Sequence, residues 1–217
     1  MSDSQPSNFH PGTPGSDIGV EPLRFALLQE MISRLALQPK DRILDAGCGE
    51  GWAGRLLAAL VPQGTVVGLD FSADMIHAAR EKSAAVQNLM FVWGDAAAVP
   101  WQENYFSTVL CIDSFDLFEN QEKALGEIFR VMSPGGSLWI VNLLPNEEAL
   151  SARQTPDSNV LPVPLGAEQY KNLFEHCGFL EYRYEMISLQ SPAPESEHRE
   201  RNLPVTALLM NARKPQA

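Results

Sequence analysis

Arg42-Ile43-Leu44-Asp45-Ala46-Gly47-Cys48-Gly49-Glu50-Gly51 decides how the rest of the chain is read. A short apolar run closes on an acid, and three glycines then alternate with other residues. Trp52-Ala53-Gly54-Arg55-Leu56-Leu57-Ala58-Ala59-Leu60 follows. The pattern predicts a buried strand, a tight turn and a helix start. Glycine has no Cβ, so it admits positive φ and lets a ligand approach the backbone. The first N–H groups of a helix lack partners within it and point into the same space. Such a turn at the carboxyl end of a first strand is a cofactor-binding turn.

Charge discriminates between cofactors. Gly49-Glu50-Gly51-Trp52-Ala53-Gly54 matches the dinucleotide pattern G-x-G-x-x-G, which would suit an NAD(P)-dependent oxidoreductase. Asp45 and Glu50 oppose that reading, because a pyrophosphate favours helix N–H groups without a carboxylate beside them. S-adenosylmethionine has no phosphate. It carries a sulfonium, an ammonium and one carboxylate, and acidic neighbours suit it. Asp45-x-Gly47-x-Gly49-x-Gly51 resembles motif I of class I S-adenosylmethionine-dependent methyltransferases, and later landmarks of that family recur in order.

The second landmark is Thr65-Val66-Val67-Gly68-Leu69-Asp70, a β-branched run ending in an acid, with Ser72 as N-cap of the next helix. An acid at the end of a second strand can accept hydrogen bonds from ribose hydroxyls. The resemblance implies that Asp70 does so, with Phe71 and Met75 beside adenine. Leu89-Met90-Phe91-Val92-Trp93 is a third strand. It ends in Gly94-Asp95-Ala96, similar to the family's acceptor for the adenine amino group. The resemblance thus implies a cofactor site of Asp45, Gly47, Cys48, Gly49, Gly51, Asp70, Phe71, Met75, Gly94, Asp95, Ala96 and Ile112, and no metal.

The fourth strand is read as Phe106 to Asp113, followed by Ser114-Phe115-Asp116-Leu117-Phe118 at the end where open α/β sheets put their sites. The stretch lacks the Asn/Asp-Pro-Pro-Tyr signature of amino-group methyltransferases. It also lacks the paired histidines of many small-molecule relatives. Asp113 and Asp116 are therefore the candidate bases, with His10 a weaker one. Each acid has a plainer alternative: Asp113 as an orienting group for the cofactor, Asp116 as a turn cap.

Around these landmarks the chain is ordinary. It has 217 residues, 45% hydrophobic and 20% charged, enough for one α/β domain. The formal net charge of −11 and the absence of a Lys/Arg run argue against nucleic acid and anionic membranes as partners. Cys48, Cys111 and Cys177 show no zinc spacing and are read as small buried residues of a reducing compartment. No signal peptide or bilayer-length apolar run is visible, so a cytoplasmic protein is expected.

Residues 1–20 are expected to form a flexible tail or a cover over the cofactor, and 21–217 the catalytic domain. Glu21 to Leu37 reads as an amphipathic helix, Gln121 to Met132 as another. Ser133-Pro134-Gly135-Gly136 reads as a turn before the strand Ser137 to Asn142. Residues 144–166 break the pattern and are expected to cover the substrate. Ala167 to Cys177 reads as a helix with Tyr170, Leu173 and Phe174 facing in and Gly178 as its stop, and Phe179 to Leu189 and Leu203 to Arg213 as antiparallel strands.

The resemblance spans about residues 22–214. It implies a Rossmann-like α/β fold: an open twisted sheet, mostly parallel, with an antiparallel C-terminal hairpin and helices on both faces. The activity it implies is methyl transfer to a small or medium organic acceptor. A catalytically silent S-adenosylmethionine-binding scaffold would have the same fold.

Overall fold

A computed structural model describes residues 21–144, 165–190 and 204–216. The segments 1–20 and 145–164, to which the expectations of a tail and a substrate cover apply, lie outside the described residues, as does His10. Seven strands form one sheet in the order β3-β2-β1-β4-β5-β7-β6. These are β1 (Arg42–Ala46), β2 (Thr65–Asp70), β3 (Leu89–Trp93), β4 (Phe106–Ile112), β5 (Met132–Leu143), β6 (Leu180–Gln190) and β7 (Pro204–Arg213). The first five pair in parallel, while β7 runs antiparallel to both β5 and β6. The expected sheet class and antiparallel end are thus what the chain forms.

Parallel strands are covered on both faces and read as continuous apolar runs. Along β1 and β4, Leu44, Ala46, Val109 and Cys111 enter one core, and Ile43, Leu110 and Ile112 the other. Helices α4 (Gln121–Val131) and α5 (Ala167–His176) close the first face through Leu125, Ile128, Tyr170 and Phe174. Helices α1 (Glu21–Arg34) and α2 (Trp52–Leu60) close the second through Leu27, Leu28, Met31 and Leu57. Helix α3 (Ala73–Lys82) packs Ile76 and Ala79 on Phe91 and Cys48. Complete burial of such side chains stabilises the fold by about 1.5–3 kcal/mol each for the larger ones.

Three boundaries differ from the sequence reading. Helix α1 stops at Arg34, because the Asp41 carboxylate accepts the Gln38 N–H at 2.7 Å and organises a turn there. Strand β4 stops at Ile112, because Asp113 takes a left-handed φ of 53°. Residues 133–136 are not a turn before β5 but a bulge within it. Phe106 pairs with Met132 and Thr108 with Ser137, so two steps along β4 answer five along β5. The bulge is tied to the chain end, where Gly135 donates its N–H to the Lys214 carbonyl at 3.1 Å.

Lys214 continues that tie. Its ammonium donates to the carbonyls of Phe129 and Met132 and to Asn104 Oδ1, all at 2.8 Å. It thereby satisfies the open C-terminal end of α4, where positive charge is favoured. Lys214→Met is expected to cost about 2 kcal/mol, since hydrogen bonds to charged groups contribute more than neutral ones. A chain of this size should then melt about 4–8 °C lower, as calorimetry would show.

Candidate active site

The chain order reverses between β1 and β4: β2 and β3 lie to one side of β1, and β4 and β5 to the other. Open α/β sheets bind ligands at the carboxyl ends of strands beside such a reversal. Here the glycine turn leaves β1. The N–H groups of Gly47 and Cys48 both donate to the Leu69 carbonyl, at 2.7 and 3.0 Å, which fastens the turn to the end of β2. Gly47 has φ 79°, and a Cβ there would lie 2.4 Å from Ser114 Cβ. Ser114 occupies that space because its hydroxyl donates to the Ala46 carbonyl at 2.9 Å. A Cβ on Gly51, at φ 74°, would meet Phe91 at 2.4 Å. Gly49 has open space where a Cβ would be.

Two buried acids flank this turn. Asp45 is 1% exposed, and its Oδ2 has no hydrogen-bond partner among the described residues. Burial, and secondarily the charge of Asp70, pushes its carboxyl up to about 7. Asp70 Oδ2 accepts the Gly49 N–H and Oδ1 the Ser72 N–H, each at 2.9 Å. Burial raises its pKa, and those two bonds offset part of the rise. A carboxylate has about four lone-pair sites, so acceptor capacity remains on each oxygen. Asp70 is therefore a brace of the glycine turn as well as a candidate ligand.

Glu50 acts differently from the sequence reading. Its carboxylate pairs with Lys82 on α3, so its charge is neutralised locally. The acidic character of the turn comes from Asp45 and Asp70. Cys48 and Cys111 are buried free thiols whose pKa burial pushes far up, which makes them packing groups.

The remaining cofactor candidates cluster at the ends of β2, β3 and β4. Phe71 is 58% exposed, and its carbonyl accepts the Trp93 indole N–H at 2.8 Å. Met75 is half-buried, its N–H bonded to the Ser72 hydroxyl oxygen. Gly94 donates to the Asp70 carbonyl at 3.0 Å. Asp95 is exposed and caps the short turn Ala96–Ala98, accepting the Ala97 N–H at 2.8 Å. Ala96 and Ile112 are buried. Arg130 of α4 holds the next loop by the carbonyls of Val99 and Trp101.

Across the reversal point, Asp113 is half-buried and donates its N–H to the Val141 carbonyl at 2.7 Å. Asp116 lies on the turn Phe115–Leu117, and its Oδ1 accepts from Asn142 Nδ2 at 2.8 Å and from the Tyr170 hydroxyl. Burial first, and then Asp116, raises the Tyr170 pKa. Asn142 is 2% exposed, and its Oδ1 has no partner among the described residues. The sequence reading assigned Tyr170 to the core alone and gave Asn142 no role. The usable signal was a polar residue ending the apolar run Leu138 to Val141. His77 and His176 lie elsewhere, their Nε2 atoms 3.4 and 3.3 Å from the carboxylates of Glu81 and Glu122. Among the described residues no group of three or more His, Cys, Asp or Glu side chains could hold a metal ion.

This donor set fits S-adenosylmethionine. The orphaned Asp45 oxygen calls for a cationic donor, and the space over Gly49 leaves room for a ligand against the turn.

Two consequences are measurable on the ligand-free chain. Gly47→Ala forces an unfavourable φ and displaces Ser114, so it should cost at least about 2 kcal/mol in urea unfolding. Gly49→Ala, with open space, should cost only about 1–2 kcal/mol, the left-handed penalty alone. Asp45 has a folded pKa near 7, against about 3.9 unfolded. The folded chain thus keeps a proton that the unfolded chain releases, and stability falls as pH rises from about 4 to 7. Asp45→Asn removes this term. It should melt higher than the parent at pH 8, by a margin that shrinks as the pH is lowered towards 5.

The sequence model of the family described as "Methyltransferase domain" matches residues 37–177. Demethylmenaquinone methyltransferases of Staphylococcus aureus are 27% identical over 179 residues, covering 71% of this chain and 74% of theirs. Among solved structures, the complex of the Haloferax volcanii Trm112 methyltransferase activator with a methyltransferase contains a similar chain. Its TM-score is 0.77 and its identity 21%, over 94% of this chain and 95% of that one. Phosphoethanolamine N-methyltransferase 2 of Haemonchus contortus, solved with phosphomonomethylethanolamine and S-adenosylhomocysteine, has TM-score 0.69 and 18% identity. That likeness covers 88% of this chain and 53% of the other. The two structures share the fold of this chain. The family match takes in well over half of the sequence and includes the glycine turn, Asp70 and the ends of β4 and β5: the chain belongs to the methyltransferase-domain family, as a class I S-adenosylmethionine-dependent methyltransferase.

Proposed function

We propose that the chain methylates a small organic acceptor, with the cofactor seated on the glycine turn and the acceptor at the carboxyl ends of β4 and β5. The carrying observation is the buried, unpartnered Asp45 oxygen beside Asp70. In this reading Asp45 receives the ammonium of S-adenosylmethionine, and the N–H groups at the start of α2 receive its carboxylate. Asp70 accepts the ribose hydroxyls, Phe71 and Met75 border the adenine, and Asp95 accepts its amino group. Gly94, Ala96, Ile112 and Cys48 shape the walls.

When bound, S-adenosylmethionine supplies a methyl group on a sulfonium sulfur, which keeps the bonding pair after in-line attack. The protein contributes binding and orientation. Good positioning can supply on the order of 7–11 kcal/mol of barrier reduction. Asp116 is the candidate base, because Asn142 and Tyr170 hold its Oδ1 in one orientation. It would take a proton from an acceptor hydroxyl. Asp113, the other candidate, would orient the cofactor. An acceptor of the demethylmenaquinone kind, a ring with oxygen substituents, is supported by the Staphylococcus aureus relatives. Net charge −11 supports a small molecule over nucleic acid.

Titration calorimetry should show S-adenosylhomocysteine binding and no comparable NAD binding. Its affinity should weaken as pH falls from 8 to 6, because Asp45 is then protonated. Asp45→Asn should bind weakly and without that pH dependence. Tighter binding of NAD would overturn the cofactor assignment. With labelled S-adenosylmethionine and a lysate, label is expected in small metabolites; label confined to nucleic acid would overturn the acceptor assignment.

A further inference from the structure

A cavity of about 490 Å³ opens at the opposite edge of the sheet, at the amino ends of β1 and β4. Strand β4 is seven residues long, which separates this cavity from the methyl-transfer edge by roughly 20 Å at about 3.3 Å per residue. The end of α1 forms one wall, the β5 bulge another, and the near ends of β6 and β7 a third. Its volume lies within the range of small-molecule sites. The chemistry of its lining differs from that of the rest of this acidic chain. Arg34, Arg183 and Arg213 line it, the last two exposed, together with the acids Asp41 and Glu181.

The acids nearby do not saturate these cations. Asp41 uses Oδ2 on the Gln38 N–H and Oδ1 on the Ser107 hydroxyl. Arg34 pairs with Glu30 and Glu185, and Arg213 pairs at 3.8 Å with Glu181. Arg183 has no ion pair or side-chain hydrogen bond among the described residues, although the net charge of the chain is −11. Guanidinium matches carboxylate and phosphate oxygens in a planar, two-pronged geometry and also stacks on rings. Trp139 lines the same cavity, half-buried, with Leu35 and Leu37 as apolar surface.

We infer that this cavity is a second ligand site, which takes a small aromatic anion with its carboxylate or phosphomonoester on Arg183 and its ring against Trp139. The inference does not depend on the methyl acceptor or on the catalytic assignments. The site is built by the β5 bulge, because Ser133 to Gly136 depart from the ladder and line its wall.

The test uses the full chain saturated with S-adenosylhomocysteine, so that the cofactor site is occupied, and the arginine variants separate this cavity from the acceptor site. Phenyl phosphate, benzoate, phenol and inorganic phosphate are titrated by calorimetry. Phenyl phosphate or benzoate should bind saturably with sub-millimolar Kd, and the tighter of the two identifies the anionic group. Phenol should bind at least tenfold more weakly. Arg183→Gln should weaken the anion at least tenfold, while its melting temperature and S-adenosylhomocysteine affinity match the parent. Arg213→Gln provides an independent second loss. Absence of binding by both aromatic anions, equal binding of phenol, or unchanged binding in both variants would overturn the proposal.

Discussion

An uncompensated carboxylate governs the organisation of this protein. Asp45 is carried into the interior by its place near the end of β1, between Gly68 of β2 and Leu110 of β4. A buried charge without a partner is costly, and the group responds by holding its proton to about pH 7. In the proposed reading, a cationic group of the cofactor would repay that cost at the same strand end, so stability of the free protein and cofactor affinity would be opposed at one atom.

The glycine turn follows from the same crowding. Gly47 passes against Ser114 and Gly51 against Phe91, at distances that leave no room for a Cβ. Asp70 joins the turn to β2 through Gly49 and Ser72, so the two acids divide the labour. Asp70 holds the backbone in shape, and Asp45 is left with an oxygen to offer. Across the reversal point the pattern is repeated with other chemistry. Asn142 and Tyr170 come from β5 and α5 to fix one oxygen of Asp116. The two edges of the sheet also differ in charge. Asp45, Asp70, Asp95 and Asp116 gather at the carboxyl ends of the strands, whereas arginines and acids are mixed around the cavity at the other end.

The sequence by itself determined the fold class and the position of the site. Apolar runs ending in Asp45, Asp70 and Asp95 mark strands that deliver acids to one edge, since a parallel sheet aligns all its carboxyl ends. Alternating glycines mark a turn whose backbone has to be close to something. Those signals are local, and local chemistry is what a sequence displays. The end of α5 at Gly178, with φ 91°, was legible for the same reason.

What only the tertiary structure decided depends on contacts between distant segments. Glu50 looks like a charge in the cofactor turn, yet Lys82, thirty-two residues away, neutralises it. Residues 133–136 have turn composition but sit as a bulge, because β4 pairs with Met132 before them and with the strand from Ser137 after them. Asn142 and Tyr170 looked like strand end and core, and acquire a role only when α5 packs over β5 beside Asp116. The three arginines lie 149 and 30 residues apart in sequence, and converge because β6 and β7 return antiparallel to the end of α1. Each of these needed long-range pairing, which no local pattern encodes.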